Sequence, residues 1–339
     1  PDTIPLLTGD QYSTLILEGV MNRTGIPLNT QSNKEFLYDP SEPYWYHNYG
    51  QNTNWLDEIN RRGYTNNHDF SLSGGGEKAR YRFSVNYQDQ EGVTLGTDLT
   101  RFTTRLNLDY YISDKIRLGA DLSYAHGNSN RNYNSGLRGV AYRKMPNMGV
   151  YEFDTQGNET PVFFSPERNI QGSYSSTYNP VAMATAGKYT TLSDRIIPKF
   201  QLNYNILPGL SYTFDLAFDI NNSKRNYFLP QVATGKPMTD LSVNRATDSD
   251  DDSYYIYTNN RLSYTNVFRN IHALTATLNF QTNDSKAIQY RAVTANSASS
   301  EFRDPSIPAR IQEGGLSLST RSLQTRDNGI VALVHYSLL

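Results

Sequence analysis

From about residue 67 onward, apolar and polar side chains alternate with period two. In 102–110, Phe102, Leu106, Leu108 and Tyr110 share one parity, while Thr103, Arg105, Asn107 and Asp109 take the other. In 115–124, Ile116, Leu118, Ala120, Leu122 and Tyr124 alternate with Lys115, Arg117, Gly119, Asp121 and Ser123. The runs 199–206 and 210–220 repeat the pattern with Phe200, Leu202 and Tyr204, then with Tyr212, Phe214, Leu216 and Phe218. Strands of soluble proteins average about 5–6 residues, whereas these alternations continue for roughly 10–20, the span of a strand that crosses a bilayer at a tilt. No stretch approaches the length of apolar sequence that a transmembrane helix requires, so any crossing is made by strands.

Nine strands are expected, at 67–73, 78–88, 99–111, 115–126, 190–206, 209–222, 253–268, 271–292 and 319–339. Turn residues close them in pairs at Gly74-Gly75-Gly76-Glu77, Ser113-Asp114, Leu207-Pro208-Gly209 and Arg269-Asn270. Longer excursions at about 127–189, 223–252 and 293–318 lie between the pairs. Short connections at one end and long ones at the other are the asymmetry of outer-membrane barrels. The fold class is therefore all-β, a transmembrane antiparallel up-and-down barrel. Because bacterial single-chain barrels have an even strand number, nine strands are read as an incomplete portion of one. Residues 1–66 read as an extracellular loop region ahead of the first clear hairpin, and 67–339 as the partial barrel. On a lipid face, a midplane Arg or Lys costs about 2–4 kcal/mol. The charged residues Arg80, Arg82, Arg105, Asp109, Asp121, Asp215, Asp219 and Arg261 are accordingly expected to face the lumen, pairing across strands.

Lys and Arg number 31 against 33 Asp and Glu, a net charge of −2, which gives no basic surface for nucleic acid. The sequence has no Cys, which excludes disulfides, thiolate metal sites and thiol catalysis. The start, Pro1-Asp2-Thr3-Ile4-Pro5, carries no signal-peptide pattern, so either a leader has been removed or the sequence lies inside a longer one.

Against this pattern a family resemblance stands out. Asn52-Thr53-Asn54-Trp55-Leu56-Asp57-Glu58-Ile59, then SLSGGGEKARYRFSVNYQDQEG at 71–92 and GTDLTRFTTRLNLD at 96–109, resemble the early barrel of SusC/RagA-like TonB-dependent transporters. KIRLGADLSYAHGNSNR at 115–131 and GIVALVHYSLL at 329–339 are similar to further strands of that family. The resemblance implies a 22-stranded barrel in the bacterial outer membrane, embedded in its lipid. It also implies import of an oligosaccharide or a peptide together with a SusD-like surface lipoprotein. Contact with TonB is expected through a plug and TonB box outside this stretch.

Two aromatic-rich segments are candidate solute contacts: Tyr44, Trp45 and Tyr46 in the first, Tyr133, Tyr174 and Tyr178 in the second. Aromatic faces offer apolar contact with a polar rim, which suits sugars or peptide side chains. The glycines at 74–76 are expected to supply positive φ in a hairpin, and Trp55 with Asp57 and Glu58 a short capped turn over the barrel wall. Asp248, Asp250 and Asp252 imitate the start of a calcium loop. However, Ser253 and Asn259 stand where such a loop needs Gly and Glu, so a solvated loop is expected and no metal or other cofactor. The five His show no HExxH spacing and no G-x-S-x-G occurs, so no enzyme is expected. A passive binding or adhesion barrel is the alternative to transport, and an outer-membrane barrel enzyme ranks behind both.

Overall fold

The computed structural model describes residues 5–27, 34–132, 136–165, 178–236, 240, 243–294, 297, 299 and 316–338. Four helices come first, α1 (Gly9–Thr24), α2 (Lys34–Leu37), α3 (Pro43–Tyr49) and α4 (Trp55–Ile59). Strands β1 (Thr65–Gly75), β2 (Ala79–Glu91), β3 (Thr97–Ser113) and β4 (Ile116–Arg131) follow. The long connection after β4 holds α5 (Leu137–Arg143), the small hairpin β5 (Tyr151–Phe153) and β6 (Glu159–Phe163), and α6 (Pro180–Thr185). Then come β7 (Lys188–Leu207), β8 (Leu210–Leu229), β9 (Arg245–Phe268), β10 (His272–Thr294) and β11 (Leu316–Leu338).

The nine long strands form one sheet in the order β1-β2-β3-β4-β7-β8-β9-β10-β11, and every neighbouring pair is antiparallel. β1 and β11 are its edges and do not pair with each other. The expected next-neighbour wall is thus what forms.

Register carries the sequence alternation intact across all nine strands. Arg105 lies level with Ser123, Leu106 with Leu122, Leu118 with Leu202, Leu202 with Phe214, Tyr212 with Leu262, and Leu262 with Leu278. The apolar parities therefore merge into one face and the charged ones into the other, since a slip of one residue would invert a strand. The apolar stretch runs over Phe102–Tyr110, Ile116–Tyr124, Ile196–Tyr204, Tyr212–Ile220 and Ile330–Leu338, about nine residues in each, as a bilayer-spanning strand requires. Asn260 interrupts this band, and its side-chain oxygen accepts a 2.6 Å hydrogen bond from the Tyr212 hydroxyl. Phe102, Leu122, Phe200 and Leu278 are exposed, while Leu106, Leu108, Leu118, Leu202, Phe214 and Leu216 are half-buried against their neighbours. No described residue of this band is buried.

The dry core lies elsewhere. Phe36, Tyr49, Trp55, Ile59, Val140, Met145, Met148, Met183 and Leu229 pack together, uniting the N-terminal helices with the long connection after β4. We refer to this as the rim cluster. α1 is started by a capping box, with Thr8 and Gln11 exchanging side-chain and backbone bonds, and is stopped by Gly25 in the left-handed region. Buried asparagines then fasten irregular backbone. Asn48 donates to the carbonyls of Tyr44 and Phe153 and accepts from the Phe153 N–H. Asn179 donates to the carbonyls of Val150 and Phe164 while capping α6. Among the described residues of the 1–66 segment, read as loop, more than half are thus helical, because its short helices are stabilised by partners about a hundred residues away.

Three turn and strand details depart from expectation. The hairpin after β1 turns at 76–78, not at 74–77, and none of Gly74, Gly75 or Gly76 takes positive φ. A Cβ on Gly74 would lie 2.7 Å from the Tyr81 hydroxyl, so this glycine makes room for the facing ring. Positive φ appears instead at Arg269 and Asn270, at the turn into β10, and at Gly209 before β8. Finally, β9 begins at Arg245 rather than near 253, so Asp248, Asp250 and Asp252 are strand residues of one parity and not a loop.

Candidate functional site

Two surfaces qualify as a site: the polar face of the wall and the rim cluster above it. On the polar face, Arg105 and Asp121 form a paired contact with Nε to Oδ1 at 3.1 Å, and Arg117 meets Asp109 at 2.7 Å. Arg195 pairs with Asp219, Nε to Oδ1 2.8 Å, and Arg225 with Asp251. Asp215 accepts from Gln201 at 2.7 Å and from Asn259 at 3.1 Å. Arg80, Arg82 and Arg261 share this face and are exposed, Arg80 level with Asp109 and Arg261 level with Thr213. Such exposed pairs add little stability, about 0–1 kcal/mol each. Their effect is to present a polar wall on which Arg105, Arg117, Arg195 and Arg225 are each matched by a carboxylate.

Asp109, Asp121 and Asp215 come together with Lys199, Gln201 and Tyr257 around one hollow of about 430 Å³ on that face. Three of the eight residues expected to face the lumen thus meet, with Arg105 tied to the same group through Asp121. Arg261 lies outside the hollow. In the sequence, Lys199 and Gln201 are marked only by their parity.

In the rim cluster, the aromatic candidates divide by exposure. Tyr44 and Tyr46 on α3 reach solvent. The Tyr44 hydroxyl donates to Glu152 Oε1 at 3.0 Å, and its pKa is pushed up to about 12 by burial and then by that carboxylate. Trp45 turns inward, stacked on Tyr49 at 5.5 Å between ring centroids, and Tyr178 is buried. Tyr133 and Tyr174 lie outside the described residues. Trp55 does sit in a short capped helix, with Asn54 accepting from the Leu56 N–H. Its indole N–H donates to the Met145 carbonyl at 2.8 Å inside the core. Beside it, a groove of about 840 Å³ runs between Leu6, Leu7, Asn52, Trp55, Arg138 and Lys144. Lys144 is 4% exposed, and burial pushes its amine down to about 7. Nothing in its sequence neighbourhood signals this.

No family model matches the sequence. Among curated proteins, the chain is 29% identical over 188 residues to TonB-dependent receptor P3 of Formosa agariphila, covering 53% of this chain and 18% of that protein. It is 25% identical over 232 residues to TonB-dependent receptor P39 of the same organism, covering 66% of this chain and 20% of the relative. It is 27% identical over 173 residues to TonB-dependent receptor SusC of Bacteroides thetaiotaomicron, covering 47% of this chain and 17% of SusC. The chain thus spans 20% or less of the length of these relatives. Among solved structures, its fold matches the RagAB peptide importer in the closed-closed state with a TM-score of 0.72 at 18% identity, covering 98% of this chain and 38% of that one. The open-open state gives 0.70 at 19% identity over the same shares. The nine-stranded sheet, with its apolar band on one face and its ion pairs on the other, thus matches part of such a barrel wall. On sequence and fold together, the chain is similar to part of the barrel of SusC/RagA-like TonB-dependent receptors of the bacterial outer membrane.

Proposed function

We propose that the chain supplies wall and extracellular rim to a TonB-dependent importer that takes an oligosaccharide or a peptide across the outer membrane with a SusD-like lipoprotein. The observation that carries this reading is the match to curated TonB-dependent receptors, 29% identical over 188 residues in the case of receptor P3. The lumen wall supports it: charges compensated in pairs let a polar solute pass without a deep trap, since tight fixed binding would oppose release. A peptide or sugar would meet Tyr44 and Tyr46 first, because these two side chains of the rim cluster are exposed. Tyr133 and Tyr174 remain proposed contacts, whereas Trp45 and Tyr178 act by supporting the cluster. Residues 1–66 together with the connection after β4 form the surface on which the lipoprotein would rest. Energy coupling would come through parts of the receptor outside this stretch.

The test is uptake of fluorescent oligosaccharides and peptides by cells carrying the full-length receptor, with and without TonB. Accumulation of one class that requires TonB, and that falls in Tyr44→Ala/Tyr46→Ala cells, is the expected result. Uptake that persists undiminished without TonB would instead make this a passive barrel.

A further inference from the structure

The lipid-facing side of the wall does not end where its apolar band ends. Above Ile220 the same face of β8 continues as Asn222, Lys224 and Asn226. In β9 it continues above Tyr254 as Asp252, Asp250 and Asp248, level with those residues. These strands therefore rise about ten residues beyond the hydrocarbon layer, or roughly 25 Å at the usual tilt, with polar side chains pointing away from the lumen. The band's upper border is itself built for an interface, since the Tyr124 hydroxyl and His126 Nδ1 both bond Asp194 Oδ1, at 2.7 and 2.8 Å.

Directly above that border lies a hollow of about 930 Å³, bounded by strand residues of β4 and β7 to β11. Its lining joins Lys188 and Lys224 with Asn226 and Asp250, the ring of Tyr290, and the side chain of Leu192. Tyr290 is 49% exposed and Leu192 39%. Lys224 Nζ stands 4.0 Å from Asp250 Oδ2, so cation and carboxylate are both present and neither dominates. The volume is that of a ligand site, and it lies outside the transport route.

Taking the outer-membrane assignment as given, we propose that this outward hollow docks the saccharide headgroup of an outer-leaflet glycolipid. Continuity fixes the occupant. The hollow is stacked on the lipid-facing band, so the molecule in front of it is one whose acyl chains lie against Phe214, Leu216 and Leu262 below. The side chains match such a headgroup. Carboxylate and amide groups bond hydroxyls, the Tyr290 ring and Leu192 give a ledge for a sugar face, and the two lysines meet the phosphates or uronates that such saccharides carry. A phospholipid headgroup is too short to reach the upper part of the hollow.

The experiment uses the full-length receptor in nanodiscs and a fluorescent lipo-oligosaccharide, with lipid A, which lacks the core oligosaccharide, as second probe. Wild type should bind lipo-oligosaccharide more tightly than lipid A. Lys188→Ala/Lys224→Ala/Tyr290→Ala should weaken lipo-oligosaccharide by about 10-fold, the loss expected when central anchors are removed, and leave lipid A unchanged. Tyr290→Phe should keep the affinity, as it keeps the ring. Thr191→Ala/Ser223→Ala, at the same height but on the lumen side, should behave as wild type. Heat-modifiable migration on gels checks that each variant is folded. Equal binding of both probes by wild type, or equal binding of lipo-oligosaccharide by wild type and the triple variant, overturns the proposal. So does crosslinking that finds a second copy of the receptor seated on these residues. None of these results bears on solute uptake, so import stands or falls separately.

Discussion

The indole N–H of Trp55 donates to the main-chain carbonyl of Met145 at 2.8 Å, joining segments 90 residues apart. Both residues are buried, at 2% and 0% exposure. Trp55→Phe keeps most of the ring but leaves that carbonyl without its donor, at a cost of about 1–3 kcal/mol. The loss should fall on the rim cluster alone. In the full-length receptor, trypsin should cut at Arg138, Arg143 and Lys144 several-fold faster, while the barrel keeps its heat-modifiable gel migration. Unchanged cleavage would mean that the bond does not hold the connection in place.

Arg105 and Leu106 are chain neighbours on opposite faces, so they test which face meets lipid. Leu106 lies at the centre of the apolar stretch of β3, and Leu106→Arg should destabilise the barrel by about 2–4 kcal/mol. Arg105→Leu removes one exposed ion pair with Asp121, with a change of about 1 kcal/mol or less. Denaturant unfolding in lipid vesicles, with fraction folded read on gels, should place Leu106→Arg far below Arg105→Leu. The reverse order would exchange lumen and lipid.

The parity of these two residues is legible in the sequence because a bilayer enforces it locally, one residue at a time. Strand length is less so. Above the membrane both faces of β9 turn polar, and Asp248, Asp250 and Asp252, which read as a solvated loop, are pleated onto Asn226, Lys224 and Asn222. Their period-two spacing was the available signal. The rim cluster is harder still. α2, α3 and α4 are only 4, 7 and 5 residues long, too short for periodicity to show, and Asn48 and Asn179 act through backbone groups distant in sequence. Among the aromatic candidates, composition marks Tyr44, Trp45 and Tyr46 alike. Only packing separates the exposed Tyr44 and Tyr46 from Trp45, which lies on Tyr49.

Gly96 connects β2 to β3 at the rim, with φ of +70°, and a Cβ there would lie 2.1 Å from the Ala184 carbonyl oxygen. Gly96→Ala therefore meets both left-handed strain and a backbone clash with the end of α6. The expected outcome is faster amide exchange in 137–165 and 178–187 with β3 and β4 protected as before. Gly76→Ala, where a Cβ would meet nothing within 4 Å, is the control. Equal effects of the two would show that the contact with α6 is dispensable.

Lys144 makes the rim cluster sensitive to pH, with a sign that can be worked out. Its folded pKa, about 7, lies below the ordinary value because burial disfavours the charged amine. Between about pH 7 and the unfolded value near 10.4, the opened state binds a proton that the closed state does not. Stability of the cluster must then rise with pH across that window and level off below it. Tyr44 does not interfere, since its hydroxyl, at about 12, stays protonated throughout. Amide exchange of 137–148 in the full-length receptor, corrected for its intrinsic pH dependence, should therefore show fewer openings at pH 9 than at pH 7. Lys144→Met, with a similar stem and no charge, should flatten this dependence and close the cluster at both values. A flat profile in the wild type, or one that falls toward pH 9, would show that the buried amine keeps its proton when the cluster is closed.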